Sequence, residues 1–449
     1  MAVAEILMMI KKDNSQSLKW MMRHTTILLL GAMLALGGSA VAQPVEFRAA
    51  VELALQHSGT ILAAGADRDK ASARYHEARD AYYPTITFGS GLGYSIGMPV
   101  AIAGQAPSLF NITHTQTLFN LSIRDSIKAA HSDSLAANLD YADKANQVLL
   151  DTALLYIELD NTTQRLAAAI DQKQAAEHAL YIAQQREKEG VGSHLDSKRA
   201  ELEAARVEAR LAELTTARDV AREKLARVIG RPSDTLETVS GSIPEAPALP
   251  APDDLASVAL TTSNSVKMAD EHVLAARLHA RAEHRMKLPS VDFAGQFAEF
   301  TQFNNYAQYY KEYSPHNYSF GLNIRIPVLN LSQNARAAAA DAEVLRAQAD
   351  ARLLRDQVAA DAVRAQHIVS QLQSAAKVAR LEYEVAQAEI DGVELQVQNG
   401  QANAHDQEMA RASVAAHRVT LLQTQFEFLR AQLQLLRQIG DLRSWALGK

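Results

Sequence analysis

Residues 318–354 read YSFGLNIRIPVLNLSQNARAAAADAEVLRAQADARLL, and two periodicities meet inside them. Up to Ile326 the pattern has period two: Tyr318, Phe320, Leu322, Ile324 and Ile326 are apolar, and Ser319, Gly321, Asn323 and Arg325 alternate with them. That is a strand with one apolar and one polar face. After Asn330 the apolar positions step by three and four, through Leu331, Ala335, Ala338, Ala342, Leu345, Ala349 and Leu353, and resume through Leu372, Ala375, Ala379, Ala386, Ile390, Val393 and Val397. Gly392 is the one glycine or proline before Gly400, so the spacing predicts a single helix over 331–399, on the order of 100 Å long.

The same plan occurs earlier in the chain. Phe119-Asn120, Gly190, Asp196, Leu225, Ile229 and Gly230 return 210 residues later as Leu329-Asn330, Gly400, Asp406, Leu435, Ile439 and Gly440. Tyr83-Pro84-Thr85-Ile86 corresponds to Leu288-Pro289-Ser290-Val291 at an offset of 205. A constant offset across distant landmarks indicates an internal duplication. The first long helix is predicted over 121–189, with Ile127, Ala130, Tyr141, Val148, Leu155, Leu159, Leu166 and Ile170 on its stripe. Shorter helical patterns occupy 46–82, 194–229, 253–287 and 405–439; two of them laid end to end would cover one long helix. Residues 43–230 and 253–449 are thus two repeats. Pro232, Pro244, Pro247, Pro250 and Pro252 mark the intervening 231–252 as a linker.

Each half carries two segments of period two. Ile86, Phe88, Leu92, Tyr94 and Ile96 alternate with small polar residues. Phe110, Ile112 and Leu118 do so against Asn111, Thr113, Thr115 and Thr117, and Val291, Phe293 and Phe297 against Asp292 and Gln296. The helices spend their apolar stripes on one another and leave nothing to cover these strands, which have the length of tilted membrane strands. The Gly97 to Pro107 segment, and a second holding Tyr306, Tyr309, Tyr310 and Tyr313, suit loops at a lipid interface. A sheet in hydrocarbon must close on itself, and four strands are too few. Two copies would supply eight strands and three would supply twelve; physics leaves both open.

Export fits this reading. Lys11, Lys12, Lys19 and Arg23 precede an apolar run from Thr25 to Leu36 and then Ala40-Val41-Ala42, the pattern of a signal peptide over 1–42 with the mature chain beginning at Gln43. No later run is long and apolar enough for a spanning helix. The chain has no cysteine, which excludes disulfides, thiol catalysis and a lipid-anchoring cysteine. Its formal net charge is −6, and without residues 1–42, which hold four basic and two acidic side chains, it is −8; there is no basic stripe for nucleic acid. No H-E-x-x-H, G-x-S-x-G or Walker loop is present, and the fourteen histidines are scattered, so neither catalysis nor a cofactor or metal is expected. The rival to a membrane duct is a periplasmic coiled-coil scaffold without a channel, in which the strands would tolerate charge.

The duplicated plan, the signal, the Tyr83-Pro84 and Leu288-Pro289 approaches to strands and the Gly190 and Gly400 turns resemble the TolC-like outer-membrane efflux proteins over about 45–445. The resemblance implies a homotrimer, mainly α, whose long antiparallel coiled-coil tunnel runs into a twelve-stranded transmembrane barrel with four strands per chain. It implies an outer-membrane exit duct for efflux or type I secretion, served by a periplasmic adaptor and an inner-membrane transporter. Gly190, Val191, Gly192, Ser193, Gly400 and Gln401 would then be adaptor-contacting tips in the periplasm. Tyr318, Phe320, Leu322, Ile324 and Ile326 would face outer-membrane lipid. Family members often carry aspartate rings after the second turn, which makes Asp406, with Glu408 and the repeat partner Asp196, the expected pore constriction. A second family aspartate falls here on Met409, and no gate-holding arginine follows Gly400. The linker is similar in position to the family's equatorial girdle, which is expected to be thin because the chain stops at Lys449 soon after the last helix.

Overall fold

The computed structural model describes residues 43–91, 108–245, 254–300 and 316–448. In chain order the elements are β1 (Gln43–Val45), α1 (Phe47–His57), α2 (Gly59–Asp80), β2 (Thr85–Gly91), β3 (Ser108–Phe119), α3 (Leu121–Lys188), α4 (His194–Ile229) and β4 (Leu236–Thr238). The second half follows with α5 (Leu255–Thr262), α6 (Asn264–Arg285), β5 (Ser290–Phe300), β6 (His316–Arg325), α7 (Leu331–Gln398), α8 (Ala404–Gln438) and α9 (Leu442–Leu447). The expected signal peptide, the strand continuation over 92–96, the two loop segments and Pro247, Pro250 and Pro252 lie outside the described residues.

The two long helices have 68 residues each, about 100 Å of helix. Both start at an asparagine. Asn120 accepts from the amides of Ser122 and Ile123 at 3.0 and 3.2 Å, and Asn330 from that of Gln333 at 3.1 Å, which satisfies donors that the first turn leaves unpaired. The helices form a layer in the order α2 with α4, then α3, then α6 with α8, then α7. The short helices stack end to end against the long ones, as their lengths suggested. At one end of the layer the antiparallel sheet runs β2-β3-β5-β6, so its strand order repeats the order of the helices that lead into it.

Two expectations need correction. The helical patterns over 46–82 and 253–287 are not single helices: each breaks at a serine, Ser58 and Ser263, in the same extended geometry (φ −63°, ψ 122° and φ −55°, ψ 121°). The breaks lie against the ends of the abutting helices, with Gly230 beside His57 and Gly440 beside Thr262, so a joint sits where each stacked pair meets. The second correction concerns α7. Its Leu331, Leu345 and Leu353 are exposed, while the buried stripe is almost wholly alanine: Ala337, Ala351, Ala362, Ala379 and Ala386, with Val369. Only 7 residues of α7 are buried, against 25 in α3, because α3 has helices on both flanks and α7 on one.

The main core lies partway along the layer. Phe47 meets Tyr156 and Trp445 edge to face at 5.4 and 5.2 Å, inside a cluster with Leu225, Ile229, Leu433 and Leu436. Around it β1 pairs in parallel with β4 from the linker. The Tyr156 hydroxyl donates to the Val45 carbonyl at 2.7 Å and accepts from the Val239 amide at 2.9 Å; burial raises its pKa. The Trp445 indole donates to the Glu245 carbonyl at 3.0 Å. Residues 236–245 of the linker are thus tied to this core, and α9 packs beside them.

Candidate functional site

The sheet is built from its register upward. Phe88, Ile112, Phe297 and Tyr318 are successive cross-strand partners, and Phe293 opposes Leu322. Side chains at paired positions share a face. Phe88, Phe110, Phe297 and Tyr318 accordingly form a chain of ring contacts 4.8–6.0 Å apart across all four strands. The opposite face carries Thr87, Thr113, Gln296 and Ser319, also in register, and the Thr117 hydroxyl donates to Asp292 at 2.9 Å.

Tyr318, Phe320, Leu322, Ile324 and Ile326 are all exposed, Phe320 by 79% and Leu322 by 62%, and Ile86 and Phe88 join them. No described helix covers this face within one chain. A contiguous aromatic and aliphatic surface of this kind is what membrane or protein interfaces present. His114, edge to face with Phe293 at 5.4 Å, interrupts the apolar face in β3, which is why period two was weaker there in the sequence.

At the other end of the layer the two hairpin turns fold alike. Gly190 and Gly400 have φ of 74° and 72°, a left-handed conformation that glycine adopts without strain. Val191 and Gly192 donate to the Arg186 carbonyl, and Gln401 and Ala402 to that of Gln396. A Cβ at Gly192 would come within 2.9 Å of the Arg186 carbonyl carbon. Its counterpart is Ala402, whose amide bond is longer, 3.2 Å against 2.8 Å. Ser193 caps α4 through the Leu195 amide. Val191 is 67% exposed at the first tip. Across that turn His194 lies 2.6 Å from Glu187, and this hydrogen bond, helped by Ser197, holds the Glu187 carboxyl below its ordinary pKa.

The three acidic residues after the turns have different surroundings. Asp406 is exposed, and one carboxylate oxygen accepts from the Asn403 amide at 3.3 Å while Asn403 caps the Asp406 amide, a reciprocal capping box. Asp196 is exposed on the other hairpin, 3.9 Å from Arg199, without such a box. Glu408 is 8% exposed and turned into the seam between α8 and α3, where Oε1 lies 3.2 Å from both Arg411 and His178. Arg411 also reaches Glu394 on α7 at 3.3 Å. The sequence reading missed this network; the spacing of Glu408 and Arg411 by three on a helix was its one visible signal.

Comparison with known proteins follows the same lines. The family model for outer membrane efflux protein matches residues 50–231. Protein CyaE of Bordetella pertussis is 27% identical over 312 residues, 67% of this chain, and the chain spans 64% of that relative's length. Among solved structures, the outer membrane protein VceC of Vibrio cholerae superposes with a TM-score of 0.71 at 17% identity, covering 88% of this chain and 96% of its own. The CmeC outer membrane channel of Campylobacter jejuni gives 0.70 at 13% identity, covering 88% and 86%. The family model on the first half of the chain and the fold of such channels over nearly its whole length make the protein similar to the outer membrane efflux proteins, the TolC-like family that its sequence resembles.

Proposed function

We propose that three copies of this chain form an outer-membrane exit duct that passively conducts substrates delivered by a periplasmic adaptor and an inner-membrane transporter, with no chemistry of its own. The observation that carries this reading is the sheet: two uncovered faces, one apolar and one polar, on four strands that each join a helix of a wall about 100 Å long. The apolar face suits lipid and the polar face a water-filled lumen. Because four strands cannot close, copies must share a barrel, and the bare leucines of α7 offer a neighbour a full-length contact. Twelve strands from three copies is the family's solution.

The helical part would then stand in the periplasm. The turns at Gly190 to Ser193 and at Gly400 and Gln401 would meet the adaptor, and exposed Val191 gives the first of them an apolar contact. Asp406, exposed in the first turn of α8, would form an acidic ring when repeated by symmetry, with Asp196 near it and Glu408 behind it in the wall. Three close carboxylates attract cations.

The test is ion conductance of the purified oligomer in planar bilayers, before and after Asp406→Ala. A cation-selective pore whose selectivity weakens on substitution is the expected result. An unchanged pore moves the constriction away from Asp406, and folded oligomer with no pore, even after loosening substitutions at the two turns, removes the duct.

A further inference from the structure

In the wall next to the sheet, every helix seam holds a histidine. Between α2 and α3, His131 lies edge to face with Tyr75 at 5.2 Å, beside His76. Between α3 and α6, Asp133 receives His279 Nε2 at 3.2 Å and His272 Nδ1 at 3.9 Å. Between α6 and α7, His284 Nε2 sits 2.9 and 3.2 Å from the two carboxylate oxygens of Asp341. Helix α6 is therefore tied by imidazole and carboxylate to both of its neighbours.

Other ties of α6 carry no such proton. Towards its C-terminus Arg281 and Arg285 lie 3.0 and 2.9 Å from Asp125, which is 1% exposed, and Gln333 of α7 donates to the Glu283 carbonyl at 2.8 Å. Nearer its N-terminus Asp270 pairs with Arg355 of α7. Beside His272 and His279 a cavity of about 560 Å³, open to solvent, runs along α6 and α7 and is lined by Ala275, Ala276, Ala347 and Ala351.

We propose that α6 is a proton-dependent brace, pinned permanently near both ends by guanidinium and amide contacts and clamped between them by His279 only when it is protonated. The charges around His279 support the sign. Asp133 faces it from α3 and Glu283 lies on its own helix. Glu343, Arg346 and Asp350 line the cavity from α7, with Arg346 3.5 and 3.6 Å from the two acids. The hydrogen bond to Asp133 leads the raising of the His279 pKa. A histidine raised in the folded state stabilises fully below its unfolded pKa of about 6.5, and loses that contribution as pH rises through the higher folded value. The brace is clamped in acid and released in alkali, whether or not the assembled wall encloses a pore.

Hydrogen exchange of the full-length assembled protein at pH 6 and pH 8, corrected for the intrinsic rate, tests this on residues 264–285. Protection there should fall at the higher pH by about two- to fivefold for this half-exposed pair, with residues 205–229, which hold no histidine, unchanged. His279→Gln should be equally weakly protected at both pH values, and His279→Lys, permanently charged, equally strongly. Wild-type protection that does not change with pH overturns the proposal, as does a His279→Gln variant that keeps the wild-type slope. Should the variants fail to assemble, the wild-type comparison alone decides.

Discussion

Leu322→Arg probes the face assignment where the cost is largest. Leu322 is 62% exposed on the uncovered apolar face, opposite Phe293. It is the seventh of the ten residues of β6, about one and a half residues past the strand centre. At about 3.3 Å of rise per residue and a tilt near 45°, it would stand only about 3 to 4 Å from mid-height, where a lipid-facing arginine costs about 2–4 kcal/mol per chain. Three chains sharing one barrel would bring this to roughly 6–12 kcal/mol per assembly. Asn323→Arg is the matched control: it lies one residue on, points to the polar face that already carries Arg325, and should cost under about 1 kcal/mol. The assay is the urea midpoint and yield of folded oligomer after insertion into liposomes. Equal stability of Leu322→Arg and wild type, or an equal loss from Asn323→Arg, would refute the assignment of the two faces.

Leu345→Glu with Leu353→Glu removes apolar side chains that no described residue of the same chain covers. About 1.5–3 kcal/mol of interface burial per side chain should be lost, so sedimentation should show folded but dissociated chains. Tyr156→Phe leaves the Val45 carbonyl and the Val239 amide without their buried partner, and thermal unfolding should register a loss of about 1–3 kcal/mol.

The fold was legible where backbone chemistry repeats. Asn120 and Asn330, Gly190 and Gly400, Gly230 and Gly440 recur at one offset because a helix cap or a left-handed turn accepts few residue types, and these set the ends of α3 and α7 to within a residue. The serine breaks left only weak signals, which the helical periodicity on either side overrode: Gly59 directly follows Ser58, and Ser263 sits in the run Thr261-Thr262-Ser263-Asn264-Ser265. The exposed stripe of α7 was misread for another reason. Periodicity marks an apolar face but says nothing of whether the same chain covers it, and there the larger leucines face outward while alanines admit the close neighbour. The acidic residues after the turns were found by position, whereas their surroundings, a cap for Asp406 and a seam for Glu408, depend on contacts with Asn403, His178 and Arg411 that no local pattern encodes.

The order of elements across the wall has a consequence for symmetry. The helical layer ends in α2 and α4 on one side and α7 on the other, and the sheet ends correspondingly in β2 and β6, so each copy has two unlike edges running its full length. A two-fold pairing joins like edge to like and leaves the other bare. Only a head-to-tail joint satisfies both, and such a joint closes into a ring when its rotation divides the circle, or runs on as a filament when it does not. In the proposed assembly the number of copies is then a matter of one angle, set where α7 of one copy would lie against α2 and α4 of the next. Substitutions of side-chain size at Leu345 or Leu353 would change that angle, and with it the count of subunits, while leaving each chain folded as before.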